Sequence, residues 1–563
     1  MRSGIYRPRQ LAVFFILLLS FALLLIRLLY LQGIRHNFFF KLADEQHTIT
    51  LELEPTRGTI FDRNMRVLAV NLNRDSIFAN AREISDVKKT ASELSRVLGL
   101  DEKFLLGRLS RDKAFVWIKR KVTPEEGSRV KSLKLTGIYS VKESKRFYPN
   151  KSLACHLLGA VDVDNIGLEG LELVHDKYLK GESGLLISTR DARSTLLESY
   201  QDEMIPPKQG FDLVLTIDEV IQNIAERELF KAVEKHNAKA GTIVVMNPKN
   251  GDILALANLP NYDLNNFNRR PEESIRNRAI NDFFEPGSVF KIIAASGLLD
   301  EGLVKMDDKF DCEMGEYRIG TGRRILHDHK PHGILTFREV IELSSNIGTV
   351  KAASMLGPEK MHKYMKAFGF YEPTGIGLPG EVTGMNRPVS RWSKVSMFAI
   401  PMGQEVTSTA IQLACAISVI ADNGYKVRPR IVREIIDEDG RVVKKFAPKA
   451  IRKTISPVVA YMMRQLLGGV VERGTGRMAR AADYTTGGKT GTAQKVEKSG
   501  VYSHSKFIAS FIGFAPVDKP EIAVVVCVDE PHPVYFGGVV AAPVFRNVVD
   551  QSLKYLNVRD ERT

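Results

Sequence analysis

The run from Leu11 to Leu31 reads LAVFFILLLSFALLLIRLLYL, and it restricts this chain more than any other feature. It carries one charge, Arg27, close enough to its far end to snorkel. A helix of this length, rising ~1.5 Å per residue, reaches roughly 30 Å, the thickness of a bilayer core. Arg2, Arg7 and Arg9 precede the run. Basic residues stay on the cytoplasmic side, so the remainder of the chain is expected to be exported. A cleaved signal peptide has a shorter apolar core and ends in a small-x-small site. Here Gln32-Gly33-Ile34-Arg35-His36 follows instead, which predicts an uncleaved anchor. No other window is long and apolar enough to span, so the expectation is a single-pass protein of the cytoplasmic membrane with a large extracytoplasmic (periplasmic) part.

Length and composition say what that part can be. The chain has 563 residues, 44% of them hydrophobic and 26% charged. That is ordinary globular usage and suggests two to four domains. The net charge of +14 favours contact with polyanions. Export argues against nucleic acid and leaves the anionic membrane surface. Cys155, Cys312, Cys415 and Cys527 stand far apart with no C-x-x-C pair. Zinc ribbons and thioredoxin-type sites are therefore excluded, and four buried free thiols are the expectation.

Residues 37–205 are mixed and strand-rich. Ile205-Pro206-Pro207-Lys208-Gln209-Gly210 marks a break. The predicted organisation is a cytoplasmic tail at 1–10, the anchor at 11–31, a non-catalytic pedestal at 32–208 and a catalytic domain at 209–563. In the last, Asp212–Thr216 reads as a strand and Asp218–His236 as a helix. Gly241–Met246 and Ile253–Ala257 read as a hairpin. A helix-rich middle follows, then strands at Phe507–Phe514 and Ile522–Val528 and a last helix at Pro543–Leu556. Strands at both ends of a helical segment predict one sheet built from both, with helices on its faces.

Three short strings could carry chemistry. In Glu285-Pro286-Gly287-Ser288-Val289-Phe290-Lys291, a turn leads into a helix that has Ser288 at its start and Lys291 one turn on. A buried lysine of lowered pKa can take the proton of such a hydroxyl, and free N–H groups at a helix start can hold an oxyanion. The bare S-x-x-K pattern occurs five times, also at Ser85, Ser110, Ser128 and Ser503, and alone signals only a cap and a surface lysine. Ser344-Ser345-Asn346 places a hydroxyl and a carboxamide two apart, though alone it reads as a helix-end turn. Lys489-Thr490-Gly491-Thr492 begins a strand. Its glycine admits a close backbone, and its lysine and hydroxyls suit a carboxylate. K-[ST]-G recurs at Lys498-Ser499-Gly500. Together and in this order the three match the S-x-x-K, S-x-N, K-T-G set of penicillin-binding proteins and class A β-lactamases.

With Arg57-Gly58-Thr59-Ile60-Phe61-Asp62-Arg63, Arg146-Phe147-Tyr148-Pro149, Gly167-Leu168-Glu169 and Gly181, the chain resembles class B penicillin-binding proteins over nearly its whole length. Arg276-Asn277-Arg278-Ala279-Ile280-Asn281-Asp282 before Glu285 resembles the division-type, FtsI-like members. Elongation- or sporulation-specific relatives remain the alternative. The resemblance implies an α/β (α+β) penicillin-recognising serine transpeptidase fold, a central antiparallel sheet flanked by helices, preceded by one transmembrane helix and a strand-rich pedestal. It implies peptidoglycan stem peptides ending in D-Ala-D-Ala as substrate, β-lactams as inhibitors and no cofactor or metal. Ser288 would attack, with Lys291 as base and the N–H groups of Ser288 and Thr492 as oxyanion hole. Ser344 would relay a proton to the leaving amine and Asn346 would hold the donor amide. Lys489, Thr490, Gly491 and Thr492 would receive the terminal carboxylate. Partners would be the membrane, a polytopic, FtsW-like glycan polymerase along the anchor and other divisome proteins. Glu405 and Ala410 depart from the glycine and proline of many relatives.

Rival readings are weaker. A class A β-lactamase needs a water-activating glutamate, and no E-x-x-L-N lies between Ser344 and Lys489. A non-enzymatic scaffold or sensor is opposed by the complete motif set. His327, Asp328, His329 and His332 have spacing that zinc could use. A polar loop beside the cleft is the plainer expectation.

Overall fold

The structure is a computed structural model and describes residues 6–190, 196–197, 203–319, 325–497 and 500–559. The chain divides into two compact units, Met1–Thr56 with Gly181–Gln209, and Arg57–Lys180 with Gly210–Thr563. In the first, helix α1 (Tyr6–Leu29) runs on through a π turn at Tyr30–Ile34. Pro8–Ile34 is long and apolar enough to cross a membrane, and is the one such stretch among the described residues. Thr48–Leu53 and Glu203–Ile205 both pair antiparallel with Gly184–Arg190.

In the larger unit, β1 (Ile60–Phe61), β2 (Val67–Ala79), β3 (Val116–Lys119) and β4 (Ile138–Phe147) form the pedestal sheet. Helices α2 (Val87–Leu98) and α3 (Glu102–Leu109) cover one face of it. Both begin at an aspartate, Asp86 or Asp101, whose carboxylate accepts a backbone N–H of the first turn. β1 also pairs in parallel with β5 (Asp212–Leu215), to which Val432–Ile436 adds an antiparallel neighbour. The sheet is thus shared between residues 57–180 and much later chain, and this places them in one compact unit.

A buried ion cluster holds this junction. Glu172 accepts from Arg57 Nε at 2.7 Å and Arg146 Nε at 2.6 Å, and Arg57 also reaches Asp176 at 2.6 Å. Gly58 is obligatory beside it, because a Cβ there would lie 1.9 Å from the carbonyl oxygen of Phe211. Glu172→Ala would strand two buried guanidinium groups, and breaking such a cluster costs about 3–5 kcal/mol. The variant should show a clearly lowered thermal unfolding midpoint, whereas replacing the exposed Lys208 should not.

The later chain, the expected catalytic segment, continues from β5 with α4 (Glu219–Lys235), capped by Asp218, and the hairpin β6 (Ala240–Met246) and β7 (Ile253–Leu259). There follow α5 (Lys291–Asp300), α6 (Phe337–Glu342), α7 (Asn346–Phe368), α8 (Ala410–Ala421) and α9 (Pro457–Glu472). Last come β8 (Gly487–Val496), β9 (Tyr502–Ala515), β10 (Ile522–Asp529) and α10 (Ala542–Tyr555). The sheet runs β7-β6-β10-β9-β8, antiparallel throughout. It is built from both ends of the segment, as expected. Period-two alternation sends Ile243, Val245, Val524 and Val526 toward α4 and α10. Val244, Val525 and Ile512 point the other way, toward α5, α8 and α9. Every residue of α8 is buried, which explains why it is apolar on all sides. All four cysteines are buried and free.

Candidate active site

Ser288 lies in a single 3₁₀ turn, Gly287–Phe290, that leads directly into α5. The turn is held from two sides. The Gly287 N–H donates to the Gly403 carbonyl at 3.1 Å. Gly491 of β8 packs so closely beneath it that a Cβ would meet Val289 at 2.8 Å and Ser510 Oγ at 2.3 Å. The serine turn and the K-T-G strand are therefore neighbours, and Ser288 itself is half-buried.

One turn further on, Lys291 is fully buried. Its Nζ donates to the Ser344 carbonyl at 2.7 Å, Ser344 Oγ at 3.2 Å and Asn346 Oδ1 at 2.8 Å. Lys489, equally buried, reaches the same Ser344 Oγ at 2.9 Å. Lys291, Ser344, Asn346 and Lys489 thus form one connected set, with the Ser344 hydroxyl between two amines. Ser344 sits in the left-handed region at φ 62°, an uncommon conformation for serine that concentrates at functional sites. It is the hinge between α6 and α7. Burial lowers the Lys291 pKa to about 7, against which the nearby Asp328 charge acts upward. Burial, then the charge of Lys291, holds Lys489 well below the usual lysine range.

Asp328 carries more than the sequence suggested. Its Oδ2 accepts from Ser345 Oγ at 2.6 Å, and its Oδ1 accepts from the N–H groups of Asn346 and of Ile347, the latter at 3.0 Å. A carboxylate is favoured at this N-terminus of α7, and it fixes the S-x-N turn. The Asn346 carboxamide is oriented in turn by the His327 carbonyl at 2.8 Å. The ring of His329 lies 5.1 Å from that of Phe536. This loop serves the cleft, and among the described residues no group of His, Cys, Asp and Glu gathers that could hold a metal. Asp328→Asn keeps an acceptor but removes the charge that raises the Lys291 pKa. Acylation should fall about tenfold from the loosened turn, and the acid limb of its pH profile should move to lower pH. An unmoved limb would leave Asp328 as a cap alone.

On β8, Thr490 Oγ1 pairs with Thr475 Oγ1 at 2.9 Å. Thr492 Oγ1 accepts from the Gly537 N–H at 3.0 Å, which leaves its hydrogen free to donate. Thr475 lies in a loop and Gly537 opens a short helix, Gly537–Val540; neither belongs to a motif and neither gave a signal in the sequence. Beside the Ser288 turn a cavity of about 800 Å³ opens, lined by Phe283, Phe284, Glu285, Glu405, Gln494 and Ile508 among others. Glu405, held at φ 58°, donates its N–H to Glu285 Oε1 at 2.9 Å and shapes this wall. Burial raises the Glu285 pKa. Ala410 is the first residue of α8, behind the Thr409 capping box, a helix position at which proline is common.

A serine at a helix start, two buried amines and a sheet-edge K-T-G define a serine acyltransferase site. Residues 241–550 match the penicillin-binding protein transpeptidase domain, and residues 52–215 the penicillin-binding protein dimerisation domain. Stage V sporulation protein D of Bacillus subtilis is 37% identical over 99% of this chain and 87% of its own length. Peptidoglycan D,D-transpeptidase FtsI of Escherichia coli K12 is 32% identical over 97% and 91%. The crystal structure of penicillin-binding protein 3 from Mycobacterium tuberculosis with aztreonam superposes at a TM-score of 0.71 with 28% identity, covering 91% of this chain and 98% of that one. The chain belongs to the class B penicillin-binding proteins, and it is a transpeptidase of that family.

Proposed function

We propose that this protein cross-links peptidoglycan stem peptides ending in D-Ala-D-Ala through an acyl-enzyme on Ser288, in septal wall synthesis. The observation that carries the reading is the Ser344 hydroxyl shared by Lys291 and Lys489 beside the nucleophile turn. The terminal carboxylate of the donor peptide binds to Thr490, Thr492 and Lys489. Its negative charge favours the charged form of Lys489, while burial lowers the Lys291 pKa to about 7 and lets that amine act as base. Ser288 then adds to the penultimate carbonyl, and the N–H groups of Ser288 and Thr492 hold the oxyanion. Ser344 passes a proton to the departing D-Ala amine, and Asn346 holds the donor amide. A stem-peptide amine resolves the ester. β-Lactams acylate the same oxygen.

The arginines ahead of the apolar helix support an N-terminus in the cytoplasm and a site outside, and the exposed apolar helix suits a contact with a polytopic glycan polymerase. Similarity to the sporulation protein supports a second reading, wall synthesis during spore formation. Mass spectrometry after exposure to benzylpenicillin tests the chemistry, with the adduct expected on the peptide that contains Ser288. An adduct elsewhere, or none, overturns it. Depletion of the protein from growing cells separates the two roles. Filaments without septa support division, and normal growth with failed sporulation supports the other.

A further inference from the structure

The pedestal sheet has two unlike faces. On one, Ile77, Ala79 and Ile118 are buried with Leu94 and Leu105 of α2 and α3. On the other, Phe78 of β2 stands in register with Trp117 of β3 and Tyr139 of β4. Its ring lies 4.6 Å from that of Phe115 and 5.6 Å from that of Tyr139, each tilted by 28°. Trp117 meets Phe115 edge-on at 4.9 Å. Phe115 remains 50% exposed, Tyr139 46% and the neighbouring Val141 42%. Among the described residues the Trp117 indole N–H has no acceptor. This row takes no part in the catalytic set, and exposed apolar patches of such extent mark binding surfaces.

Two features say what would bind. The patch is aromatic rather than aliphatic, and the negative faces of such rings suit the polarised C–H faces of pyranose sugars, with the indole N–H as a donor beside them. The surroundings are also basic. Residues 57–180 hold 24 Lys and Arg against 16 Asp and Glu, a net +8 of the chain's +14. Arg120 stands 5.2 Å over Trp117 while it pairs with Glu143 and Asp164, and Lys113, two residues before Phe115, is exposed. A second copy of the chain would meet this face with like charge.

We propose that this pedestal face binds the glycan strands of peptidoglycan, its aromatic row stacking on the sugars and its cations pairing with free stem-peptide carboxylates. The inference rests on the substrate reading above. It adds a polymer-holding site separate from the cleft that handles the peptide.

The test uses the full-length protein in detergent, acylated with benzylpenicillin so that the cleft is blocked, and co-sedimented with purified sacculi. Wild type should sediment, and Phe115→Ser with Tyr139→Ser should lose about fivefold in binding, as loss of aromatic anchors does. Lys113→Glu should weaken binding and flatten its salt dependence. Both variants alter exposed side chains and should label with penicillin at the wild-type rate. The chain has two tryptophans, so Trp392→Phe leaves Trp117 as the sole reporter. Its fluorescence should shift on titration with chitotetraose. Equal sedimentation of the aromatic variant, or an unmoved Trp117 signal, overturns the proposal. So does a change in self-association with sacculus binding intact, which would assign the face to a second copy. A protein that binds chitotetraose but takes no penicillin on Ser288 would instead break the catalytic reading.

Discussion

Ser288→Ala should abolish labelling by benzylpenicillin and all cross-link formation, a loss on the order of 10⁶ in rate, as removing a catalytic nucleophile costs. The size follows from covalency. Lys291, Ser344, Asn346 and Lys489 keep their mutual bonds in the variant, because none of those contacts passes through Ser288 Oγ. They can still bind and polarise a donor peptide, yet no oxygen remains to carry the acyl group. The substitution is also structurally mild. The turn is held by backbone, through Gly287 to Gly403, and by the packing of Gly491 against Val289. Its unfolding midpoint should stay near wild type, within the ~0.5 kcal/mol usual for a substitution that breaks no packing. Gel fluorography with labelled penicillin checks the first expectation and calorimetry the second. A penicillin-labelled Ser288→Ala protein would move the nucleophile elsewhere.

What the sequence made legible was local. Each motif is a short string whose element can be read from its neighbours. The hairpin β6–β7, the strand start at Gly487 and the last helix stand within two residues or so of where periodicity puts them. Lys291, Ser344 and Lys489 meet from 53 and 145 residues apart, and only resemblance to a family joins strings so distant. The roles of those residues therefore rest on that resemblance and on the geometry together. Asp328 shows the limit from the other side. Among three histidines it reads only as part of a polar loop, whereas its carboxylate caps α7, a contact set by a fold no spacing rule contains. The left-handed Ser344 is equally unreadable, since serine rarely adopts it. In the pedestal, α2 and α3 bury Ala91, Leu94, Leu98 and Leu105 at helical spacing. Interleaved lysines and glutamates dilute that signal over helices this short. The strand β5 pairs with β1 across some 150 residues, so the segments on either side of residue 208 share a sheet.

Lys291→Arg and Lys291→Ala should be equally inactive, each slower in acylation by about 10²–10⁴, the worth of a positioned general base. Arginine keeps the cation and its donors but cannot lose its proton near neutral pH. If the charge at residue 291 were what mattered, arginine would rescue. If a neutral amine matters, it will not. The pH profile of the unaltered enzyme makes the same distinction. The base is active when deprotonated, and burial lowers the Lys291 pKa to about 7. Acylation should therefore rise with pH and level off above that value, and at pH 6 it should run at about a tenth of the plateau. Asp328 helps to set where this limb falls. Its charge raises the Lys291 pKa against burial, so Asp328→Asn should move the limb to lower pH. Stopped-flow acylation by a chromogenic β-lactam, recorded from pH 5 to 9, reads the limb in both proteins. A limb that moves to higher pH in Asp328→Asn, or a wild-type rate that falls as pH rises through 7, would remove Lys291 from the role of base.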